Sequence, residues 1–134
     1  MKSIIIAILA CILIYVSAID DKCLSCICKI ESNCQPLGCK WDVNSNSCGY
    51  YQLKKAYWLD CGSPGGGWET CSANKACADG CVRKYMTRYA KKCVGSRTPT
   101  CQDFARIHNG GPTGCTKAAT VGYWNKVNAC YKSG

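Results

Sequence analysis

The chain has 134 residues, of which 15 are cysteine, and a formal net charge of +9 at neutral pH. A chain of this length usually forms one domain, and its only long apolar run lies at the N-terminus, which argues against a protein that crosses a membrane. No nucleic-acid-binding motif accompanies the positive charge, so no nucleic-acid partner is expected. The charge favours anionic surfaces such as bacterial envelopes or acidic glycans, or simply solubility.

The N-terminus has the pattern of a secretory signal over residues 1–18. Lys2 supplies the positive start, residues 4–16 the apolar segment, and residues 16–18 the small-residue cleavage site. The apolar segment is shorter than the roughly 20 residues of a transmembrane helix. We therefore predict a secreted, extracellular protein without a transmembrane anchor, with one domain over residues 19–134 and, once Lys2 is removed, a net charge of +8.

The cysteine content indicates a disulfide-rich domain. Removal of the signal takes Cys11 with it and leaves 14 cysteines, an even number in an exported chain. We therefore expect seven disulfides, with a pairing that the sequence does not reveal. The cysteines involved are Cys23, Cys26, Cys28, Cys34, Cys39, Cys48, Cys61, Cys71, Cys77, Cys81, Cys93, Cys101, Cys115 and Cys130.

The spacing of Cys23 and Cys26 also occurs in redox and zinc sites. The βαβ pattern that accompanies a redox motif is missing, and zinc is disfavoured in an oxidising compartment. His108 is the single histidine, so no second imidazole is available to a metal. Disulfides are the better interpretation, and we expect no metal and no cofactor.

The first part of the mature chain combines a helix with a hairpin. Helical spacing of apolar residues and turn residues predict the following order: a helix over 23–31, a turn at 36–38, a strand over 40–43, a connection at 44–47 and a strand over 49–52. Glu31 would lie near the end of the helix and Asp42 on the first strand.

The rest of the chain is predicted to be helical apart from one glycine-rich loop. The elements are a helix over 53–61, a loop over 62–67, the longest helix over 73–92, a helix from a capping box at 100–103 through 107, and a last helix over 120–130. The fold class is therefore α+β: a small, mainly helical, disulfide-rich domain with one short β-hairpin.

The acidic residues are few enough to consider one by one. Four need no functional role, because they lie at a frayed N-terminus or near the start of a predicted helix, where an acidic residue is favourable: Asp20, Asp21, Asp79 and Asp103. Glu69 reads as a solvated charge, and Asp60 is either structural or part of a cleft. Glu31 and Asp42 lie on neighbouring elements fixed by cysteines and can share acid and base chemistry, although two surface acids usually have no such role.

Two other groups of side chains have a functional and a structural interpretation. Lys54 has candidate partners in Ser45, Ser47 and Ser63, and a Ser–Lys pair can act as nucleophile and base, although turn serines and a solvated lysine are the better interpretation. Aromatic rings suited to sugar stacking, or to a core, are Tyr50, Tyr51, Tyr57 and Trp58.

Motifs along nearly the whole mature chain resemble the invertebrate-type lysozymes, including their destabilase branch. They are residues 26–32 (Cys-Ile-Cys-Lys-Ile-Glu-Ser), 42–45 (Asp-Val-Asn-Ser), 47–52 (Ser-Cys-Gly-Tyr-Tyr-Gln), 56–62 (Ala-Tyr-Trp-Leu-Asp-Cys-Gly), 64–67 (Pro-Gly-Gly-Gly), 81–89, 97–115 and 119–127.

The resemblance implies a lysozyme-like fold and hydrolysis of the β-1,4 bond between N-acetylmuramic acid and N-acetylglucosamine of bacterial peptidoglycan. It makes Glu31 the proton donor and Asp42 the nucleophile or oxocarbenium stabiliser, and retention of configuration requires the carboxyls to be about 5 Å apart. Chitooligosaccharides are a further implied substrate. The implied substrate-binding residues are Lys54, Tyr57, Trp58, Asp60, Tyr85, His108, Asn109 and Gly110.

The destabilase branch also implies cleavage of ε-(γ-Glu)-Lys isopeptide bonds by a Ser–Lys arrangement around Lys54. The sequence departs from the family pattern near that position, at Asn46, Tyr50 and Ala56. The alternative to both enzymatic activities is a non-enzymatic cationic antimicrobial protein. The sequence leaves open the oligomeric state and the choice between antibacterial defence and digestion.

Overall fold

The computed structural model describes residues 18–133, so the predicted signal lies outside the described residues except for Ala18. The helices are α1 (Asp21–Ser32), α2 (Lys55–Asp60), α3 (Trp68–Ser72), α4 (Lys75–Val94), α5 (Cys101–Gly110) and α6 (Val121–Lys132), and the strands are β1 (Lys40–Asp42) and β2 (Ser45–Ser47). Within the described residues, no helix is both long and apolar enough to cross a membrane. The predicted mainly helical α+β fold with one hairpin is confirmed.

Helix α1 has sequence signals at both ends. The carboxylate of Asp20 accepts a hydrogen bond from the backbone N–H of Cys23 at 2.7 Å, which satisfies one of the free N–H groups of the first turn. Leu24 and Ile27 are buried on the same face. Asn33, at φ 56°, ends the helix in the left-handed region that asparagine tolerates. The predicted helix is confirmed, and the chain bends directly after it, ahead of the turn expected at 36–38.

The hairpin is shorter than the sequence predicts. Val43 and Asn44 have φ of 44° and 69°, and these two residues turn the chain so that Lys40 pairs with Ser47 and Asp42 with Ser45. The prediction of a second strand at 49–52 is therefore wrong, because β2 lies within residues 44–47, for which the sequence predicts the connection. Residues 49–52 instead form a turn next to a single bridge between Cys48 and Leu53. Asp42 does lie on the first strand.

Helix α5 begins at the capping box that the sequence predicts. The hydroxyl of Thr100 accepts from the backbone N–H of Asp103, and the Asp103 carboxylate accepts from the backbone N–H of Thr100 at 2.8 Å. Arg97 donates two further hydrogen bonds, at 2.8 and 2.9 Å, to that carboxylate. Phe104 and Ile107 then face the core. This fixed start positions the other end of α5, where the single histidine lies.

The core lies between α1, α4, α5 and α6. Fully buried side chains from all four helices meet there, among them Ile27, Val82, Met86, Ile107 and Val127. Burying one such side chain contributes about 1.5–3 kcal/mol. Helix α3 was not predicted, because five residues are too few for a periodic pattern.

The structure contains the expected seven disulfides and gives their pairing. Three bridges are local: Cys28–Cys34, Cys39–Cys48 and Cys71–Cys77. Four join distant segments: Cys23–Cys101, Cys26–Cys130, Cys61–Cys81 and Cys93–Cys115. Helix α1 is thereby linked covalently to both α5 and α6, which together surround the end of α1 that carries Glu31.

Candidate active site

A cleft of about 340 Å³ opens between the hairpin and the helices, and both candidate carboxylates line it. It is bordered by Glu31, Asp42, Ser47, Gln52, Lys54, Ala56, Tyr57, Asp60, Tyr85, His108, Asn109, Gly111 and Pro112. The lining combines aromatic rings, two amide side chains and charged groups, which is the chemistry expected of a site for a polar polymer such as a glycan.

Glu31 lies in the last turn of α1, with 19 % of its side chain exposed. Its Oε2 accepts a hydrogen bond of 2.8 Å from the hydroxyl of Tyr123 on α6. His108 Nε2, on α5, lies 3.1 Å from the same oxygen. The carboxyl of Glu31 is therefore held from two helices that are remote in sequence.

His108 has partners on both ring nitrogens. Nδ1 lies 2.9 Å from the hydroxyl of Tyr57, and Nε2 lies 3.2 Å from the backbone carbonyl oxygen of Tyr51. A carbonyl oxygen can only accept, so we assign the proton of the neutral ring to Nε2 and the acceptor role to Nδ1. Tyr57 then donates to Nδ1. Only 3 % of the His108 side chain is exposed, so the ring lies under the surface of the cleft.

The tyrosines around Glu31 remain protonated donors at neutral pH. Burial raises the pKa of Tyr123 well above its usual value, and the negative charge and hydrogen bond of Glu31 raise it further. Burial likewise raises the pKa of Tyr57, with smaller contributions from Tyr85 and Glu31. The rings of Tyr57 and Tyr85 stack at 3.7 Å between centroids, and burial, with Asp60 next, raises the pKa of Tyr85 to about 12.

Asp42 has a more open setting at the end of β1. Its side chain is exposed to solvent, and its Oδ2 accepts one long hydrogen bond, 3.4 Å, from the buried hydroxyl of Ser47. Lys54 contacts the backbone carbonyl of Asp42 rather than its carboxylate. The two acids thus occupy different environments, one next to the side chains of Tyr123 and His108 and one next to water.

Lys54 joins the hairpin to the start of α2. Its ammonium group contacts three oxygens, the hydroxyl of Ser45 at 2.8 Å, the backbone carbonyl of Ser45 at 3.4 Å and the backbone carbonyl of Asp42. Three acceptors match the three N–H groups of an ammonium ion, so in this arrangement the lysine donates to Ser45. Of the candidate serines, Ser45 meets Lys54, Ser47 bonds to Asp42, and Ser63 is exposed outside the cleft.

Asp60 lies at the other side of the cleft, at the end of α2. It pairs with Arg88 at 3.1 Å and accepts a hydrogen bond from Tyr89. The ion pair is partly exposed and contributes at most about 1 kcal/mol. Both interpretations of Asp60 from the sequence therefore apply, because it anchors α2 to α4 and lines the cleft.

Most of the predicted substrate-binding residues line the cleft, and two do not. Those that line it are Lys54, Tyr57, Asp60, Tyr85, His108 and Asn109. Trp58 lies outside the lining, with its indole N–H donating to the carbonyl of Pro64 at 2.9 Å, so it holds the glycine-rich loop. Gly110 is also outside, and its carbonyl accepts from Lys117 at 2.6 Å.

Sequence reasoning missed Tyr123, which donates directly to Glu31, and four residues of the lining: Gln52, Ala56, Gly111 and Pro112. A signal for Tyr123 did exist. It precedes the fully buried Val127 by one helical turn and therefore lies on the inward face of α6. What the spacing could not indicate is that this face packs against the end of α1.

Comparison with known proteins identifies relatives of the whole domain. The family model described as Destabilase matches residues 20–130. Lysozyme 1 of Crassostrea virginica is 57 % identical over 111 residues, which cover 83 % of this chain and 59 % of that protein. The lysozyme of Meretrix lusoria is 53 % identical over 84 % of this chain and 93 % of its own length. Invertebrate-type lysozyme 6 of Caenorhabditis elegans is 50 % identical over 81 % of this chain and 84 % of its own length.

Solved structures show the same architecture. The Meretrix lusoria lysozyme in complex with PliI of Aeromonas hydrophila superposes with a TM-score of 0.78 at 52 % identity, over 86 % of this chain and 93 % of the other. The Tapes japonica lysozyme superposes with a TM-score of 0.77 at 46 % identity, over 84 % of this chain and 92 % of the other. The chain belongs to the destabilase family, which is that of the invertebrate-type lysozymes.

Proposed function

We propose that this protein is a lysozyme that hydrolyses the β-1,4 bond between N-acetylmuramic acid and N-acetylglucosamine of bacterial peptidoglycan. The observation that carries the proposal is that Glu31 and Asp42, in contrasting environments, line one cleft. The lysozyme names of relatives at 50–57 % identity support it. Chitooligosaccharides, which contain the same bond between related sugars, are a second substrate of this site.

In the proposed reaction, Glu31 is the general acid. It gives its proton to the glycosidic oxygen as the bond to the anomeric carbon breaks. Asp42, as the anion, stabilises the positive charge at that carbon or bonds to it. Water then replaces the leaving sugar and returns a proton to Glu31. We predict retention of configuration, which requires a spacing of about 5 Å between the two carboxyls in the working enzyme.

The remaining lining residues are proposed to bind the sugar chain. Tyr57 and Tyr85 offer aromatic surface for a sugar face, and Asn109 and Gln52 offer amide groups for hydroxyl or acetamido groups. The mature chain's positive charge would favour approach to the anionic bacterial envelope at low salt.

The Glu31→Gln variant tests the proposal. Gln has nearly the same shape but no proton to give, so the loss of turbidity of a bacterial cell-wall suspension should slow by about 10²–10⁴-fold. Glu69→Gln is the matched control, because Glu69 is exposed and lies outside the cleft lining. It should behave like the wild type. Full activity in Glu31→Gln would remove Glu31 from the mechanism.

A second activity, cleavage of ε-(γ-Glu)-Lys isopeptide bonds, rests on the 2.8 Å contact between Ser45 and Lys54. Ser45 would be the nucleophile and Lys54 its base, which requires the neutral amine of Lys54 to accept the proton of the Ser45 hydroxyl, the reverse of the hydrogen bond in the structure. Hydrolysis of a γ-glutamyl-lysine amide should then survive Glu31→Gln and fail in both Ser45→Ala and Lys54→Met. Lys55→Met is the control, since Lys55 is the exposed neighbour outside the lining. A wild type that does not turn over the amide refutes this second activity.

Secretion is proposed from the seven disulfides, which persist in oxidising compartments, together with the signal pattern of the sequence. The physiological role would be antibacterial defence or digestion of bacteria. The non-enzymatic alternative, killing by charge alone, predicts that Glu31→Gln kills bacteria as well as the wild type does. Loss of killing together with loss of lysis would instead assign the killing to hydrolysis.

A further inference from the structure

We propose that Tyr123 and His108 are positioning residues that fix the orientation of the Glu31 carboxyl, so that Oε2 faces the protein and Oε1 carries the proton that is transferred. This inference rests on the proposed lysozyme function and assigns a specific oxygen of Glu31 to the reaction. It also gives His108 a different role from sugar binding, which suits a side chain that is only 3 % exposed.

Two polarised hydrogens lie beside Oε2. The hydroxyl of Tyr123 donates to it at 2.8 Å, and the raised pKa of Tyr123, caused first by burial, keeps that donor protonated. His108 Nε2 lies 3.1 Å from Oε2, while its N–H is directed mainly at the carbonyl of Tyr51. The tyrosine therefore supplies the hydrogen bond and the imidazole N–H adds a favourable electrostatic contact.

Oε1 has a different environment. It has no hydrogen-bond partner within residues 18–133, and the only buried side-chain oxygen or nitrogen without a partner in that range is that of Ser72. Oε1 therefore retains solvent-accessible surface, on a residue that lines the cleft. In a protonated carboxyl the carbonyl oxygen accepts and the hydroxyl oxygen donates. Because donors already lie beside Oε2, the proton is favoured on Oε1, where substrate can reach it.

The transfer balances with this assignment. The proton moves from Oε1 to the glycosidic oxygen, and the electron pair of the bond between that oxygen and the anomeric carbon stays with the oxygen. Glu31 is left as a carboxylate, and the donors beside its Oε2 stabilise the negative charge. Water then adds to the anomeric carbon and its proton returns to Oε1, which restores the starting state.

The two positioning side chains are themselves fixed. Tyr123 is on α6, which Cys26–Cys130 joins to the helix that carries Glu31. His108 is on α5, which Cys23–Cys101 joins to the same helix, and the hydroxyl of Tyr57 holds its Nδ1 at 2.9 Å. A carboxyl that cannot rotate presents the same oxygen to every substrate, which lowers the entropic part of the barrier.

The experiment compares Tyr123→Phe with Tyr131→Phe on two substrates. Both tyrosines are on α6 and both donate to a carboxylate, Tyr131 to Asp20 at 2.7 Å, far from the cleft. On an unsubstituted chitooligosaccharide, Tyr123→Phe should lower kcat by about 10–100-fold with KM within a factor of about two, whereas Tyr131→Phe should change neither. On an aryl chitooligosaccharide with an acidic phenol as leaving group, the loss should shrink to about threefold or less, because such a group needs little proton donation.

A second pair of variants tests the positioning role of His108. His108→Gln keeps an N–H near the position of Nε2, and His108→Leu removes it, so the glutamine variant should retain at least about tenfold more kcat on the unsubstituted substrate. Thermal unfolding of each variant shows that it is folded. Equal losses on both substrates, or an unchanged kcat in Tyr123→Phe, would overturn the positioning role while leaving the lysozyme function intact. A wild type that cleaves neither substrate and does not clear a bacterial cell-wall suspension would overturn both.

Discussion

The two candidate catalytic carboxylates are supported in opposite ways. Glu31 lies in the last turn of a twelve-residue helix, and side chains from α5 and α6, tens of residues downstream, contact it. Asp42 lies on a three-residue strand next to the hairpin turn, and its carboxylate has one long hydrogen bond to a nearby serine. The carboxyl that is proposed to donate the proton is thus held by long-range structure, and the carboxyl that is proposed to act as the anion is held by local structure.

This difference fits the two proposed roles. A general acid must present a proton in one direction and be shielded from water, which requires several elements around it. An anion that stabilises positive charge acts through a less directional force and gains from solvent access, which keeps it ionised. The first of the four predictions below tests this difference between the two carboxyls directly. The other three test the long-range and the local structure around them, and the order is from the largest expected effect to the smallest.

Changing each carboxyl by one methylene group should affect the enclosed site more. Glu31→Asp withdraws the acid from its donors, and a displacement on the order of 1 Å can cost about 10²-fold in rate. Asp42→Glu lengthens a side chain on an exposed strand that has room to adjust, so we expect a loss of about tenfold. Both are measured as kcat on a soluble chitooligosaccharide. A larger loss in Asp42→Glu would reverse the comparison.

Removing a long-range disulfide should destabilise the protein more than removing a local one. Cys26–Cys130 closes a loop with a sequence separation of 104 and Cys39–Cys48 one of 9. In the chain-entropy model the first contributes about 4–5 kcal/mol and the second about 2–3 kcal/mol. The double Cys→Ala variant that lacks Cys26–Cys130 should therefore have a free energy of unfolding in urea about 2 kcal/mol lower than the variant that lacks Cys39–Cys48. Equal destabilisation would mean that the hairpin bridge supports more than the hairpin.

The start of α5 should make stability depend on pH. Burial alone would raise the pKa of Asp103, but hydrogen bonds from Arg97 and Thr100 outweigh it and hold that pKa below its usual value. A lowered folded-state pKa means that the ionised carboxylate stabilises the fold above about pH 4 and that this contribution is lost as the pH falls further. Asp103→Asn should therefore cost about 1 kcal/mol at pH 7. The difference from the wild type should disappear in more acidic solution.

The control for that prediction is Asp21→Asn, whose carboxylate pairs with Arg83 but is almost fully exposed. Thermal unfolding between pH 3 and pH 7 should show no comparable change for this variant, because an exposed ion pair contributes at most about 1 kcal/mol and is screened by salt. A difference between Asp103→Asn and the wild type that stays constant with pH would contradict the proposed ionic contribution.

The smallest effect is expected at the hairpin turn. Val43 is exposed and has a φ of 44°, a region that a β-branched residue adopts only under strain. Val43→Asn should therefore stabilise the protein by about 0.5–1 kcal/mol, measured by thermal unfolding. Trp41→Ser, at the neighbouring site with 74 % of its surface exposed, should change stability by less than about 0.5 kcal/mol.

The sequence was sufficient for elements with strong local signals. The helix before Glu31, the long α4 and the capped α5 each have periodic apolar residues or a capping residue, and all three were predicted. The predicted hairpin differs from the observed one because residues 49–52 have the composition of a strand. The observed turn contains Val43, a residue type that local preferences place in a strand. Local preference and tertiary structure disagree at that point.

The same contrast between local signals and tertiary structure applies to the candidate site. Glu31 and Asp42 were proposed from their setting among cysteines and from the family motifs, and the structure brings both to one cleft. Tyr123 was missed because its contact with Glu31 spans 92 residues and depends on how two helices pack. Trp58 was assigned to the cleft from the family motif, but its indole is used to hold the glycine-rich loop. Side-chain direction is a property of packing, which a list of motifs does not contain.

The dependence of Glu31 on α6 has a consequence for how the protein matures. The two proposed catalytic carboxyls both lie in the first 42 residues of the chain, while the tyrosine that donates to Glu31 comes from α6, the last helix of the described residues. A chain that is still being synthesised, or whose Cys26 has not yet paired with Cys130, therefore has both carboxylates but no completed site. Hydrolytic capacity should appear late, when the C-terminal helix docks, and oxidative folding would then act as the step that activates the protein.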